Sequence, residues 1–188
     1  MFGKIDFNHV LDLRMGLIVG LCVLSAVTDL IWGRIFNWIT FPAFLLGLIF
    51  ATVQAGAWGL GEAVLAGAAG FLLYGWMFWI GMMGGGDVKL LMALGAWGGL
   101  RFVGEVALLG VLLGGAMALL ILISRGRIRG FVQRMYRFLQ SVFIKELQVE
   151  KPEIDQKLQM PFGVPIAAAA IWLVLGNPWA WLGWRWGA

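Results

Sequence analysis

Two aspartates could do chemistry because each lies beside a long apolar stretch. Asp29 follows the first such stretch, and Asp87 follows a run of three glycines. A carboxylate at bilayer depth costs roughly 2.5–3.5 kcal/mol on insertion scales, so such residues are functional candidates. Two carboxylates that approach closely in a low-dielectric site share one proton, which leaves one acid and one base. That pair suits hydrolysis of a peptide bond by activated water.

The residues around Asp87 allow a functional and a structural interpretation. Glycines 84–86 remove three side chains, so the backbone can adopt conformations closed to other residues and a peptide could approach as an added strand. Lys89 either pairs with Asp87, receives a substrate group, or is a snorkelling interfacial lysine. In the structural interpretation, Asp87 is an acidic residue at a helix start stabilised by the dipole. Asp29 would then be a solvated loop carboxylate paired with Arg34.

The elements that must position these aspartates are membrane helices. The chain is 61% hydrophobic and 13% charged, with a mean hydropathy of +0.88. Soluble domains are nearer half apolar and a quarter charged. The sequence therefore predicts an all-α, polytopic membrane bundle of about six transmembrane helices in a single domain over residues 1–188. Five apolar segments run over about 15–31, 63–80, 88–100, 106–124 and 161–175. A further segment begins between residues 37 and 42 and ends at about 53.

A basic segment predicts the orientation. Residues 125–159 carry eight basic and four acidic side chains. Cytoplasmic loops accumulate Lys and Arg, so we expect this loop in the cytoplasm, touching anionic lipids, and the N-terminus outside. A basic balance also occurs in nucleic-acid binders, but we expect no nucleic acid here. Counting the helices places the turns that carry Asp29 and Asp87 at the cytoplasmic face of a multi-pass protein of the inner membrane.

Metal chemistry is not expected from the Cys and His content. The sequence holds one cysteine, Cys22, and one histidine, His9. A zinc site needs three or four Cys, His or acidic ligands, so Cys and His alone cannot build one. We predict neither a metal site nor a cofactor.

Three blocks of the sequence resemble one known family. Residues 84–97, Gly-Gly-Gly-Asp-Val-Lys-Leu-Leu-Met-Ala-Leu-Gly-Ala-Trp, resemble the signature of the type IV prepilin peptidases, which are GxGD-type aspartic proteases of the membrane. Residues 29–37 resemble the first aspartate region of that family, with Phe36 where the family has proline. Residues 160–167 resemble the Pro-Phe/Tyr-Gly element at the start of its last helix.

This resemblance implies an activity and a site. It implies an aspartic endopeptidase that cuts the short basic leader from prepilins or pilin-like secretion proteins at the cytoplasmic face. Asp29 and Asp87 would be the catalytic pair. The expected partners are the precursor protein and membrane lipids, and the oligomeric state stays open. The residues expected to support the site are Gly84, Gly86, Lys89, Arg34 and Asn37.

The resemblance also implies which members of the family are most similar. Longer members carry a cytoplasmic domain with paired Cys-x-x-Cys motifs and N-methylate the new amino terminus. This sequence has no such cysteines and resembles the short, peptidase-only forms, such as those of tight-adherence pili and the archaeal preflagellin peptidases. We therefore expect no methyltransferase activity.

Two other functions remain open. The acidic pair could bind a cation or relay protons in a non-enzymatic or ion- or proton-coupled transport protein. Transporters of this size often show inverted repeats, and no matching halves are evident in the sequence. The chain could also be an inactive peptidase relative that serves pilus assembly.

Overall fold

The computed structural model describes residues 7–124, 126 and 161–176, with side chains from residue 13 onward. All regular secondary structure in these residues is helical. The all-α prediction is confirmed for these residues. The basic loop predicted at 125–159 lies outside the described residues except for Gly126. The helices are α1 (Phe7–Trp32), α2 (Asn37–Trp79), α3 (Gly85–Ser124) and α4 (Gly163–Gly176).

By length and composition, three of these helices can cross a membrane. They are the segment Leu13–Trp32 of α1, all 43 residues of α2 and all 40 residues of α3, whereas α4 has 14 residues. At about 1.5 Å per residue, α2 and α3 are each about twice as long as a bilayer core of about 30 Å requires. The membrane-protein prediction is thus supported, while the number of crossings stays a prediction.

Both long helices contain a backbone break. In α2 the break lies at Ala55 and Gly56, and Gly56 has a φ of 60°. In α3 it lies at Gly99, which has a φ of 84°. Glycine adopts this left-handed region without the steric cost that a Cβ would add. The first break falls between the apolar segments predicted to end at 53 and to begin at 63, and the second falls at the end of the segment predicted over 88–100.

A buried stripe along α1 places Asp29 inside the protein. The stripe repeats every three or four residues, as one face of a helix does. Large apolar side chains such as Leu17 and Leu24 are exposed on other faces of α1, which suits contact with lipid. Asp29 therefore projects inward because of its register on the helix. The stripe consists of Ile18, Leu21, Cys22, Ser25, Thr28 and Asp29.

Small residues bring α2 and α3 into backbone contact. A Cβ added at Gly70 would lie 2.8 Å from the carbonyl oxygen of Leu91, and one added at Gly95 would lie 2.5 Å from that of Ala66. Close approach through small residues is a common way for membrane helices to associate. The register between α2 and the first part of α3, which carries Asp87, is therefore set by close packing.

A hydrogen-bonded chain joins the helices at the end opposite Asp29. The Arg14 side chain donates to the carbonyl oxygen of Trp97, and the Trp97 indole donates to the carbonyl oxygen of Ala43 at 2.7 Å. Arg14 precedes Asp29 by four turns of α1, or about 22 Å along the axis. These contacts tie α1, α3 and α2 together far from the aspartates.

The described residues form two compact units. The first contains residues up to Gly114 together with 161–176, and the second contains 115–124 and 126. Within the first unit α1 packs against α4, whose buried face includes Ile166, Ala167 and Ala170. Both aspartates belong to this first unit.

Candidate active site

Asp29 is a buried residue of the last turn of α1. Its exposed fraction is 5%, so the carboxylate is not that of a solvated loop. The helix ends just beyond it, where Gly33 has a φ of 63° and its N–H donates to the carbonyl oxygen of Asp29 at 2.8 Å. Such a left-handed glycine is a common helix terminator. The sequence thus places Asp29 on the inner face immediately before the chain turns.

The first turn of α4 holds the Asp29 carboxylate. The Gly163 N–H donates to Oδ2 of Asp29 at 2.7 Å. The first N–H groups of a helix have no partner within that helix, and they lie at the positive end of its dipole. Asp29 therefore acts as an N-terminal cap supplied by another helix.

Asp87 lies in the first turn of α3 and is exposed by only 7%. The Gly84 N–H donates to its Oδ2 at 3.2 Å, and the Asp87 N–H donates to the Gly84 carbonyl oxygen at 3.2 Å. The contact from Gly84 is the half of a capping box in which a carboxylate reaches back to the first N–H, because Gly84 has no side chain for the other half. Asp87 therefore lies at a helix start, as the structural interpretation has it, and this contact also fixes its carboxylate at a buried position.

Ile35 connects the surroundings of the two aspartates. It is buried in the link between α1 and α2. A Cβ added at Gly86 would lie 3.0 Å from Cβ of Ile35, and one added at Gly163 would lie 2.8 Å from its Cδ1. Gly86 adjoins Asp87, and Gly163 holds Asp29. The side chain of Ile35 thus lies against the surroundings of both aspartates, so the fold brings the predicted pair to the same end of the helices.

Lys89 lies on another face of α3 from Asp87. Its Nζ donates to Oδ1 of Asn37 at 2.8 Å, and both side chains are exposed. Residues two apart on a helix do not face each other, so Lys89 is not placed to pair with Asp87. The structure instead brings together two of the residues predicted to support the site, Lys89 and Asn37.

Arg34 is exposed, and its guanidinium carbon lies 6.0 Å from the centroid of the Phe36 ring. The salt bridge found within the described ranges joins Arg101 and Glu105. The interpretation in which Asp29 pairs with Arg34 therefore finds no support in the geometry.

A cavity of about 430 Å³ opens beside Lys89. Asn37 and Lys89 supply its polar wall, and aromatic and proline side chains from the first turns of α2 supply the rest. Sequence reasoning did not single out those apolar residues, because a turn followed by apolar residues is what any membrane helix shows. The cavity is lined by Asn37, Trp38, Phe41, Pro42 and Lys89.

Sequence reasoning also missed two residues that touch the aspartate site. Ile35 carries no chemistry and gives no signal in the sequence. Gly163 belongs to the Pro-Phe-Gly block at residues 161–163, which was the available signal. Among the described residues no group of three or more His, Cys, Asp or Glu side chains could hold a metal ion.

These features define a class: a helical membrane protein with two buried carboxylates gathered at one end of its helices. The model of the type IV leader peptidase family matches residues 16–120, more than half of the chain and a region that includes both aspartates. The chain belongs to this family. No solved structure matches it.

Curated relatives of the chain are prepilin leader peptidase/N-methyltransferases. The chain is 36% identical over 94 residues to a prepilin leader peptidase/N-methyltransferase of Aeromonas hydrophila, and this match covers 46% of this chain and 32% of that protein. It is 33% identical over 125 residues to the protein of the same name of Burkholderia pseudomallei strain 1026b, and this match covers 61% of this chain and 38% of that protein. The chain thus spans about a third of the length of these relatives.

Proposed function

We propose that the protein is an aspartic endopeptidase that removes the short basic leader from prepilins or pilin-like secretion proteins. The observation that carries the proposal is the pair of buried carboxylates of Asp29 and Asp87, whose surroundings meet at Ile35. Membership of the type IV leader peptidase family supports a protease. The name of the relatives combines a leader peptidase with an N-methyltransferase, and a carboxylate pair supports the peptidase activity.

The mechanism uses one protonated and one ionised carboxylate. The ionised carboxylate takes a proton from water, and the oxygen of that water attacks the scissile carbonyl carbon. The protonated carboxyl group donates to the carbonyl oxygen, and the tetrahedral intermediate then collapses as the leaving amine is protonated. Each carboxylate is held by N–H groups at a helix start. These contacts position both groups before a substrate arrives.

We also propose six membrane crossings with the aspartates at the cytoplasmic face of the inner membrane. The breaks at Gly56 and Gly99 support this count, because each would divide a helix of about two bilayer lengths into two crossings. The basic composition of residues 125–159 supports a cytoplasmic loop there and an external N-terminus. Both aspartates then face the compartment in which a basic leader would remain.

Substrate contacts are proposed for the polar residues near the site. Lys89 and Asn37 line the cavity beside α2, where they could receive the peptide. Gly84 is exposed and leaves room for a backbone close to Asp87, whereas Gly86 supports the site by its close packing against Ile35. Arg34 is exposed on the same connection as Ile35 and is available to an acidic group of the precursor.

The test is cleavage of a prepilin with a basic leader by the purified full chain in lipid vesicles. We expect Asp29→Asn and Asp87→Asn each to abolish cleavage while the thermal unfolding midpoint stays close to that of the wild type. Glu62→Gln is the matched control, because Glu62 is an exposed carboxylate that lines a cavity with Arg14 at the other end of α1. Normal cleavage by both aspartate variants would contradict the proposal.

The same vesicles distinguish the alternatives. A folded wild-type chain that leaves several prepilins intact would contradict the peptidase proposal and favour an inactive relative. Proton or cation uptake that depends on both aspartates, without cleavage, would instead favour transport.

A further inference from the structure

The start of α4 lies against the aspartate site through a residue with no side chain. Gly163 is buried, and its N–H donates to Oδ2 of Asp29 at 2.7 Å. These two residues lie 134 positions apart in the sequence. The hydrogen bond is thus a tertiary contact between α1 and α4, which pack against each other.

Neighbouring atoms leave no room for a side chain at Gly163. A Cβ added there would lie 2.8 Å from Oδ2 of Asp29, 3.1 Å from its Cγ and 2.8 Å from Cδ1 of Ile35. Real Cβ contacts below about 3.0 Å are essentially absent from proteins, so any other residue would displace the carboxylate, Ile35 or the helix start. Glycine is therefore needed for the carboxylate to reach the N–H group that holds it.

Within the described residues, no sequence neighbour donates to the Asp29 carboxylate as Gly84 donates to that of Asp87. Asp87 is held by Gly84 of its own helix start, three residues away. Among the described residues, the hydrogen-bond donor to the Asp29 carboxylate is the Gly163 N–H at the start of α4. The position of Asp29 relative to Asp87 consequently depends on how α4 is seated.

We propose that Gly163 is a positioning residue of the aspartate pair, which fixes the Asp29 carboxylate by its backbone N–H and by its lack of a side chain. This inference rests on the proposed peptidase function. A misplacement of about 1 Å can cost about 100-fold in rate, so a small displacement of Asp29 affects catalysis more than binding. Gly163 itself donates no proton to the substrate and forms no bond to it.

The kinetic test compares two glycine-to-alanine variants with similar steric effects. Gly163→Ala should lower kcat about tenfold or more while KM for the precursor changes little. Gly67→Ala is the matched control: its Cβ would lie 2.6 Å from Cε2 of Phe44, another side-chain end, and its nearest atoms belong to α2 and α3 rather than to α4. The control should lose activity only in proportion to the folded fraction. An equal loss in both variants, or an unchanged kcat in Gly163→Ala, would overturn the inference.

A second measurement does not depend on activity or on the folding of Gly163→Ala. If Asp29 holds the first turn of α4, Asp29→Ala should speed amide hydrogen exchange in a peptide covering residues 161–176, and Asp87→Ala should not. Equal exchange in the two variants would overturn the inference. A failure of the proposed peptidase function gives a different pattern, because the exchange difference would persist while no variant or wild type cleaves a prepilin.

Discussion

At the scale of the residue, the two aspartates occupy different kinds of position. Asp87 is held by the glycine three residues before it, so its sequence neighbours suffice to fix it. Asp29 is held from α4, and its neighbours only determine which face of α1 it occupies. This difference explains why the sequence motif around Asp87 is compact while the surroundings of Asp29 are spread over the chain.

Lys89 provides a prediction at this scale. Its pair with Asn37 is exposed, and exposed polar pairs contribute about 0–1 kcal/mol. We expect Lys89→Gln to leave the unfolding midpoint nearly unchanged and to raise KM for the precursor, because Lys89 lines the cavity proposed to receive the peptide. Steady-state cleavage kinetics measure this, with Lys89→Arg as a control that keeps the positive charge. A lowered kcat with an unchanged KM would contradict the binding role.

Tyr74 provides a prediction about stability. Its hydroxyl donates to the carbonyl oxygen of Ala107 at 2.9 Å from a side chain that is only 1% exposed. Tyr74→Phe should lower the free energy of unfolding by about 0.5–1.5 kcal/mol, the usual net contribution of one hydrogen bond. Thr52→Val is the control, because the Thr52 hydroxyl donates to the Leu48 carbonyl oxygen at an exposed position. Unfolding in mixed micelles would show the difference, and equal effects would refute the argument.

At the scale of the element, close helix packing and helix breaks depend on different glycines. Gly95 lets the backbones of α2 and α3 meet, whereas Gly99 turns the chain of α3 with a φ of 84°. The first requirement is for space, and the second is for a backbone conformation that L side chains rarely adopt. Both requirements are invisible in the hydropathy pattern.

Replacement of Gly95 tests the packing requirement. The added methyl would lie 2.5 Å from the carbonyl oxygen of Ala66, which belongs to a helix backbone and cannot rotate away. We expect Gly95→Ala to lower the free energy of unfolding by about 1–3 kcal/mol, the usual cost of overpacking. Gly104→Ala in the same helix is the control, because its added Cβ meets nothing within 4 Å. Thermal unfolding of both variants checks the expectation, which fails if Gly104→Ala is the less stable one.

At the scale of the whole molecule, the open question is how the long helices cross the bilayer. A helix of 43 residues is about 65 Å long, and a bilayer core is about 30 Å thick. With six crossings, the break in α2 lies outside the membrane and the link between α2 and α3 lies in the cytoplasm. The two aspartates then share the cytoplasmic face with that link.

Cysteine labelling tests this topology. Cys22 is the natural cysteine and is buried, so a Cys22→Ala background is suitable. In intact cells, Gln54→Cys should react with a membrane-impermeant maleimide, and Met82→Cys should react only after the membrane is opened. Both positions are exposed in the structure, so a difference in labelling reports the side of the membrane. The opposite pattern would reverse the orientation.

The sequence determined the helical class and the membrane character, and it singled out two aspartates as candidates. A chain that is 61% hydrophobic has more apolar surface than a water-soluble fold can bury. Its apolar segments also have about the length of membrane helices. The glycine–aspartate motif was sufficient to single out Asp87, because a helix start is a local structure that neighbouring residues define. The family relationship follows from these local patterns and matches residues 16–120.

Only the tertiary structure determined what holds and surrounds the pair. Three contacts join residues far apart in the sequence. They are the hydrogen bond from Gly163 to Asp29, the packing of Ile35 against Gly86 and Gly163, and the hydrogen bond from Lys89 to Asn37. Hydropathy and periodicity give the face on which a residue lies, but they do not give the partner that meets that face. Asp29 and Asp87 were therefore predictable as candidates, whereas the role of Gly163 became visible only when α4 was packed against α1.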